Sequence, residues 1–138
     1  MNLRKCRPDE AAGVLGYFSR TFGLEIEVFS GHVLYADEGG RIFLGPQNYL
    51  GWERVFSIGI PVAETAGSMR PCTAILRLVG RAAKRNVFEA GPEQAEAFMC
   101  GEQISAGKVA DGHVIVKHDC MVLGCGIAEG GKIKKCNG

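Results

Sequence analysis

The chain has 138 residues, 46% hydrophobic and 22% charged, with a formal net charge of +1. That length suits one domain, or two small ones sharing an interface, and the composition is that of a globular protein, which excludes a disordered chain. The near-neutral total argues against a tight non-specific binder of nucleic acid, since such affinity comes from neutralised phosphates.

The charge is nevertheless uneven. Arg70, Arg77, Arg81, Lys84 and Arg85 lie within 70–85 with no acid among them, and Lys132, Lys134 and Lys135 lie within 130–138 with none either. Between these runs, Glu89, Glu93, Glu96 and Glu102 occupy 89–102 with no base. A localised basic patch therefore remains open. No apolar run approaches the ~18 residues that span a bilayer. The opening Met1–Pro8 is basic but lacks the apolar stretch of a secretory signal. A cytoplasmic protein with no membrane partner is expected.

In chain order, Arg7-Pro8-Asp9-Glu10 opens a helix, with proline at its first position and acids beside the positive end of its dipole. Ala11, Val14, Leu15, Phe18 and Phe22 give it one apolar face, and Gly23 caps it. Leu24–Phe29 alternates as a half-buried strand, returns through Ser30-Gly31 into His32–Ala36, and turns again at Asp37–Gly40 into Arg41–Leu44. These runs predict a three-stranded meander, with His32 a solvated strand residue. A helical turn is expected over 46–51 and a longer strand over 54–62. Thr65–Met69 reads as the connection between two halves. Ala74–Arg85 reads as a helix with Ile75, Leu78, Val79 and Ala82 inward, and with Arg77, Arg81 and Arg85 on one face at four-residue spacing. Asn86-Val87-Phe88 is a short strand, and Gly91-Pro92-Glu93 starts a helix with Ala95, Phe98 and Met99 inward.

The last forty or so residues are the most informative. Val114–Lys117 and Met121–Leu123 are β-rich runs flanking the turn His118-Asp119-Cys120, which reads as a hairpin. Gly124-Cys125-Gly126 then interrupts the second run, a sign of a bulge or a close backbone approach. Gly130-Gly131 turns into Lys132-Ile133-Lys134-Lys135, where alternation sets Lys132 and Lys134 on one face and Ile133 on the other.

A helix ending at Gly101, the loop glycine Gly107, the strand 113–117 and the Leu-Gly-x-Gly signal at 123–126 together resemble the PUA domain. That is a small RNA-binding pseudobarrel of RNA-modifying enzymes and ribosome-assembly factors. Over most of the chain, the order of elements also resembles the Nip-seven family of two-part ribosome-biogenesis factors. The segments that carry this are Arg54–Gly59, the helix near 74–85, Val87-Phe88, Glu93–Gly101 and Val122–Gly126. The C-terminal pattern, with its Gly-Lys-Ile-Lys, is similar to the PUA-like tail of Nol/Nop/Sun-type cytosine-5 RNA methyltransferases.

The resemblance implies an α+β fold: a pre-PUA-like N-terminal helix plus small antiparallel sheet over 1–68, then a PUA-like β-pseudobarrel over 69–138. It also implies an RNA-facing groove between the Gly101–Gly107 region and the final strand. Lys132, Lys134, Lys135, Lys108 and Lys117 would then meet phosphates, with Arg77, Arg81 and Arg85 extending the patch. The expected partner is structured RNA, ribosomal or transfer RNA, in ribosome biogenesis or RNA modification, alongside a modifying enzyme or assembly factor.

No catalytic constellation or nucleotide-binding glycine loop stands out, so a binding module with no cofactor is expected, not an enzyme. The alternative is a protein-docking recognition subunit for a separate RNA methyltransferase or assembly factor. Six cysteines without a secretory signal read as reduced thiols. A zinc or redox protein is the third reading, using Cys120, Cys125 and Cys136 with His113 and His118. The spacing of Cys120 and Cys125 is slightly long for a zinc knuckle, and Cys125 is expected to face the core.

Overall fold

A computed structural model of the protein describes residues 3–29, 31–46 and 59–136. Helix α1 spans Pro8–Phe22. The Arg7 amide donates to Glu10 Oε1 at 2.9 Å, which satisfies one of the orphan donors at a helix start. At the other end Gly23 is left-handed, with φ 65°, and its N–H donates to the Ser19 carbonyl. Val14, Phe18 and Phe22 are buried along one face.

The first sheet comprises β1 (Arg4–Lys5), β2 (His32–Ala36), β3 (Arg41–Pro46), β4 (Ile60–Glu64) and β5 (Arg70–Pro71), antiparallel and in sequence order. The β2–β3 hairpin forms where Asp37–Gly40 predicts it, and Asp37 Oδ1 accepts the N–H groups of Gly39 and Arg41. Leu24–Phe29 does not form the expected strand; Ile26–Phe29 is a 3-10 turn. The β2 edge it would have paired with is taken by β1, which sets Arg4 opposite Ala36 and Lys5 opposite Tyr35. Leu24 and Phe29 are buried from the turn instead. Most of the helical turn expected at 46–51 and of the strand expected at 54–62 lies outside the described residues.

Helix α2 covers only Thr73–Val79, followed by a 3-10 turn at Gly80–Ala82 and by Ala83 in extended conformation. The helix expected to run to Arg85 is therefore broken. Gly80 sits against the sheet beyond: a Cβ there would lie 3.0 Å from Val122 Cγ2. Leu76 takes the buried place expected for Leu78, which is 60% exposed.

The second sheet comprises β6 (Val87–Glu89), β7 (Ile104–Ser105), β8 (Gly112–His118), β9 (Met121–Glu129) and β10 (Lys132–Lys135), in the order β6-β8-β9-β10-β7. Strand β6 is parallel to β8 and the other pairs are antiparallel. Helix α3 (Pro92–Met99) links β6 to β7, with Phe98 fully buried. Met99, expected inward, is 43% exposed. Asp119 and Cys120 both have positive φ, 46° and 67°, the backbone of a two-residue primed hairpin turn. Lys117 faces Val122 while Val116 faces Gly124, so Leu123 is the extra residue of a bulge.

The β8–β9 hairpin is buried on both faces. Ile115, Val122 and Cys125 join a core with Val14, Phe18, Phe22, Leu34, Val62, Ile75 and Leu76. Val114, Val116 and Ala128 face the other way, into a second core with Phe98, Ile104 and Ile133. This double burial explains the unbroken Val-Ile-Val run, which a half-solvated strand would not carry. The fold is α+β: an N-terminal helix and antiparallel sheet, then a curled mixed sheet of the PUA-like pseudobarrel type. No described helix is long and apolar enough to cross a membrane.

Candidate nucleic-acid interface

Lys132, Lys134 and Lys135 on β10 are all exposed, while Ile133 between them is fully buried. Lys132 lies opposite Ser105 of β7 and Glu129 of β9, and Lys134 lies opposite Ile127. Strand alternation therefore presents Lys132 and Lys134 on one face, anchored by Ile133 on the other.

The loop after β7 is fastened to the turn before β10. The Ala106 N–H donates to the Gly131 carbonyl at 2.7 Å, and a Cβ on Gly131 would lie 2.8 Å from the Gly107 carbonyl oxygen. Both glycines have positive φ, 66° and 80°, so this approach suits only residues without a side chain. Lys108 and Lys132 each follow directly on one of the two touching residues and are both exposed. Gly101, left-handed with φ 85°, ends α3 by donating its N–H to the Phe98 carbonyl. Gln94 Nε2 in turn donates to the Ser105 carbonyl at 3.0 Å, tying α3 to β7.

The structure does not gather every candidate into this patch. Lys117 is half-buried near the hairpin turn, opposite Glu89 and Val122, whereas Lys132 faces the far end of β9. Arg77 and Arg81 line a separate cleft of about 550 Å³ with Met99, Asp119, Cys120, Met121, Val122 and Leu123. Arg77 also donates to the Leu123 carbonyl at 3.1 Å. Arg85 lies beyond the break in α2 and donates to the Ser19 carbonyl at 2.7 Å. There it meets the negative end of α1, together with the backbone N–H groups of Lys84 and Arg85, which donate to the Phe22 carbonyl. The three arginines thus do not share one helical face.

The cysteine candidates separate as well. Cys120 is exposed in the hairpin turn and Cys125 is buried in the core. His118 Nδ1 donates to the Ala90 carbonyl at 2.9 Å, and among the described residues no group of three or more potential ligands is placed to hold a metal ion.

Two features escaped sequence reasoning. Strand β10 ends opposite Gly126, and α2 covers the β9 edge left open beyond it: Thr73 Oγ1 accepts the Cys125 N–H at 3.3 Å, beside the Arg77 bond to Leu123. Cys125 also meets Cys136, with sulfurs 3.3 Å apart. The signal for that contact was present, because a two-residue turn at 130–131 sets residue 125 opposite 136.

Residues 85–135 match the family model for the PUA domain of the methyltransferase RsmF. The protein carries a PUA domain. It resembles the C-terminal domain of Sun-type methyltransferases over this stretch, which begins just before β6 and ends with β10. No curated protein matches the chain. PUA domains bind RNA, and the model matched over these residues is that of a methyltransferase's PUA domain. The Lys108–Lys132 patch falls inside the matched residues, and Arg77 and Arg81 fall outside them.

Proposed function

We propose that the protein is a non-catalytic accessory that binds structured RNA, ribosomal or transfer RNA, and positions it for RNA modification or ribosome assembly. The observation that carries this reading is the PUA domain at 85–135, with exposed lysines at its fastened loop–strand junction. Lys108, Lys132 and Lys134 supply charge for phosphates, and the backbone around Gly101 and Gly107 allows close approach. Phosphate contacts of this kind position a nucleic acid, while RNA shape and unpaired bases supply selectivity.

The test is a side-by-side titration of a transfer RNA and a ribosomal RNA helix into the protein. Binding to at least one is expected, and the Lys108→Ala/Lys132→Ala/Lys134→Ala protein should bind it at least about tenfold more weakly, in line with losing three phosphate contacts. Undiminished binding by that variant would move the interface elsewhere.

A second reading, a subunit that docks a separate RNA methyltransferase or assembly factor, draws on the exposed apolar side chains of Leu78, Met99 and Met121. Docking through that surface would survive loss of the three lysines.

A further inference from the structure

Cys125 and Cys136 stand apart from the other cysteines by geometry. The end of β10 brings Cys136 alongside β9, where its N–H donates to the Cys125 carbonyl at 3.0 Å. The Cys125 thiol then donates to Cys136 Sγ across 3.3 Å. Cys125 is fully buried, whereas Cys136 is only half-buried. A third group completes the cluster: His113 on β8, whose Nδ1 meets the Tyr17 hydroxyl of α1 at 2.8 Å. Burial pushes the Tyr17 phenol up to about 12, so the hydroxyl keeps its proton at this contact. The same imidazole also reaches Cys136 and helps to lower its thiol.

We propose that Cys125 and Cys136 form an oxidisable pair, in which a hydroperoxide oxidises Cys136 and the buried Cys125 thiol converts the product into a disulfide. The chemistry balances as follows. The Cys136 thiolate attacks one oxygen of the hydroperoxide; the S–O bond forms, the O–O bond breaks, and the leaving alkoxide, or hydroxide when the oxidant is hydrogen peroxide, takes up a proton as an alcohol or water. Cys136 is now a sulfenic acid. Cys125 Sγ attacks Cys136 Sγ and gives up its proton; the S–S bond forms, the S–O bond breaks, and water leaves. The two sulfurs together lose the two electrons that the peroxide gains.

The surroundings favour this division of labour. The Cys125 S–H, and after it His113, lower the Cys136 thiol against the opposing effect of burial. The Cys136 contact and then burial push Cys125 up. A thiolate is the reactive form, and hydrogen bonds from its neighbours favour it. Cys6 and Cys72 are both pushed up, chiefly by burial. Exposed Cys100 and Cys120 have no described hydrogen-bonded thiol partner. A sulfenic acid with a resolving thiol in contact is the arrangement that ends in a disulfide and not in over-oxidation. The inference stands on the cysteine geometry and is independent of the RNA reading.

The test treats the reduced full chain with hydrogen peroxide, blocks the remaining thiols, and digests with trypsin. Lys132, Lys134 and Lys135 lie between the two cysteines, so a Cys125–Cys136 disulfide joins two peptides that otherwise separate. That joined pair, with the blocking group on Cys120, which shares the 118–132 peptide with Cys125, is the expected first product, lost on reduction. The Cys136→Ser protein should lose thiols to peroxide at least about tenfold more slowly than the parent. Oxidation that appears first at Cys100 or Cys120, or a disulfide to another cysteine, would overturn the proposal. So would a Cys136→Ser protein that reacts at the parent rate. The mapping uses the unsubstituted chain, and therefore does not depend on any variant folding.

Discussion

A Cβ on Gly126 would meet Ile133 Cγ2 at 2.6 Å and the Lys134 carbonyl oxygen at 3.3 Å. Gly126→Ala must therefore displace either the buried side chain beneath β10 or the strand itself. A loss of about 1–3 kcal/mol is expected, read as a lower urea midpoint with an unchanged slope. Glu10 gives a second prediction. The Arg4 guanidinium, 2.6 Å away, and then the Arg7 amide hold its carboxyl down at about 2. Because the folded value lies below the ordinary 4.5, its contribution is fully present above about pH 4.5. It fades as the pH falls through about 2. Thermal melts of the parent and Glu10→Gln should differ at neutral pH and converge in acid; a difference constant across that range would count against the assignment. At this scale the sequence is uneven to read. Gly23 as a cap and Ile133 as an anchor follow from local pattern. Tyr17 and His113 stand 96 residues apart, and nothing local links them. The Cys125–Cys136 contact needs only the turn at 130–131, whereas the zinc or redox reading groups both with Cys120, which is exposed in the hairpin turn.

Among the elements, the β8–β9 hairpin explains itself most fully. Its apolar run, positive-φ turn and bulge all have visible causes in Val114–Val116, Asp119-Cys120 and the glycines around Cys125. Ile115 is fully buried where this hairpin meets the first core. Ile115→Ala should cost about 2–5 kcal/mol, measurable by chemical denaturation, whereas Leu78→Ala on the exposed side of α2 should change little. The failures at this scale have one form: a local period was overruled by what already occupied the place. Leu24–Phe29 alternates like a strand, yet β1 holds the edge of β2. Ala74–Arg85 repeats like one helix, yet Gly80 packs on Val122 and the chain bends there. Such tertiary choices override propensity, and of the two segments only the second carries a mark of it, in Gly80.

On the scale of the molecule, the two sheets are not independent. Val14, Phe18 and Phe22 of α1 share a core with Ile115 and Cys125 of the second sheet, and Arg85 and Asn86 donate to the carbonyls of Ser19 and Thr21 at the end of α1. Unfolding should therefore follow one transition, with far-ultraviolet and near-ultraviolet circular dichroism changing together; two separated transitions would mean the halves melt apart. The shared core also fixes the basic junction, since β10 is held on β9 and β9 on the first core. The small charged surface is thereby carried on a scaffold that both cores hold in place.

The decisive experiment is the affinity for structured RNA at two salt concentrations, for the parent chain and for the Lys108→Ala/Lys132→Ala/Lys134→Ala protein. Phosphate contacts by these lysines predict an affinity that falls steeply with salt, and a log–log slope shallower by roughly two to three in the variant, at about 0.7–0.9 per lost contact. No binding to either RNA at low salt, or binding whose slope is the same in both proteins, would contradict RNA recognition through the β10 junction.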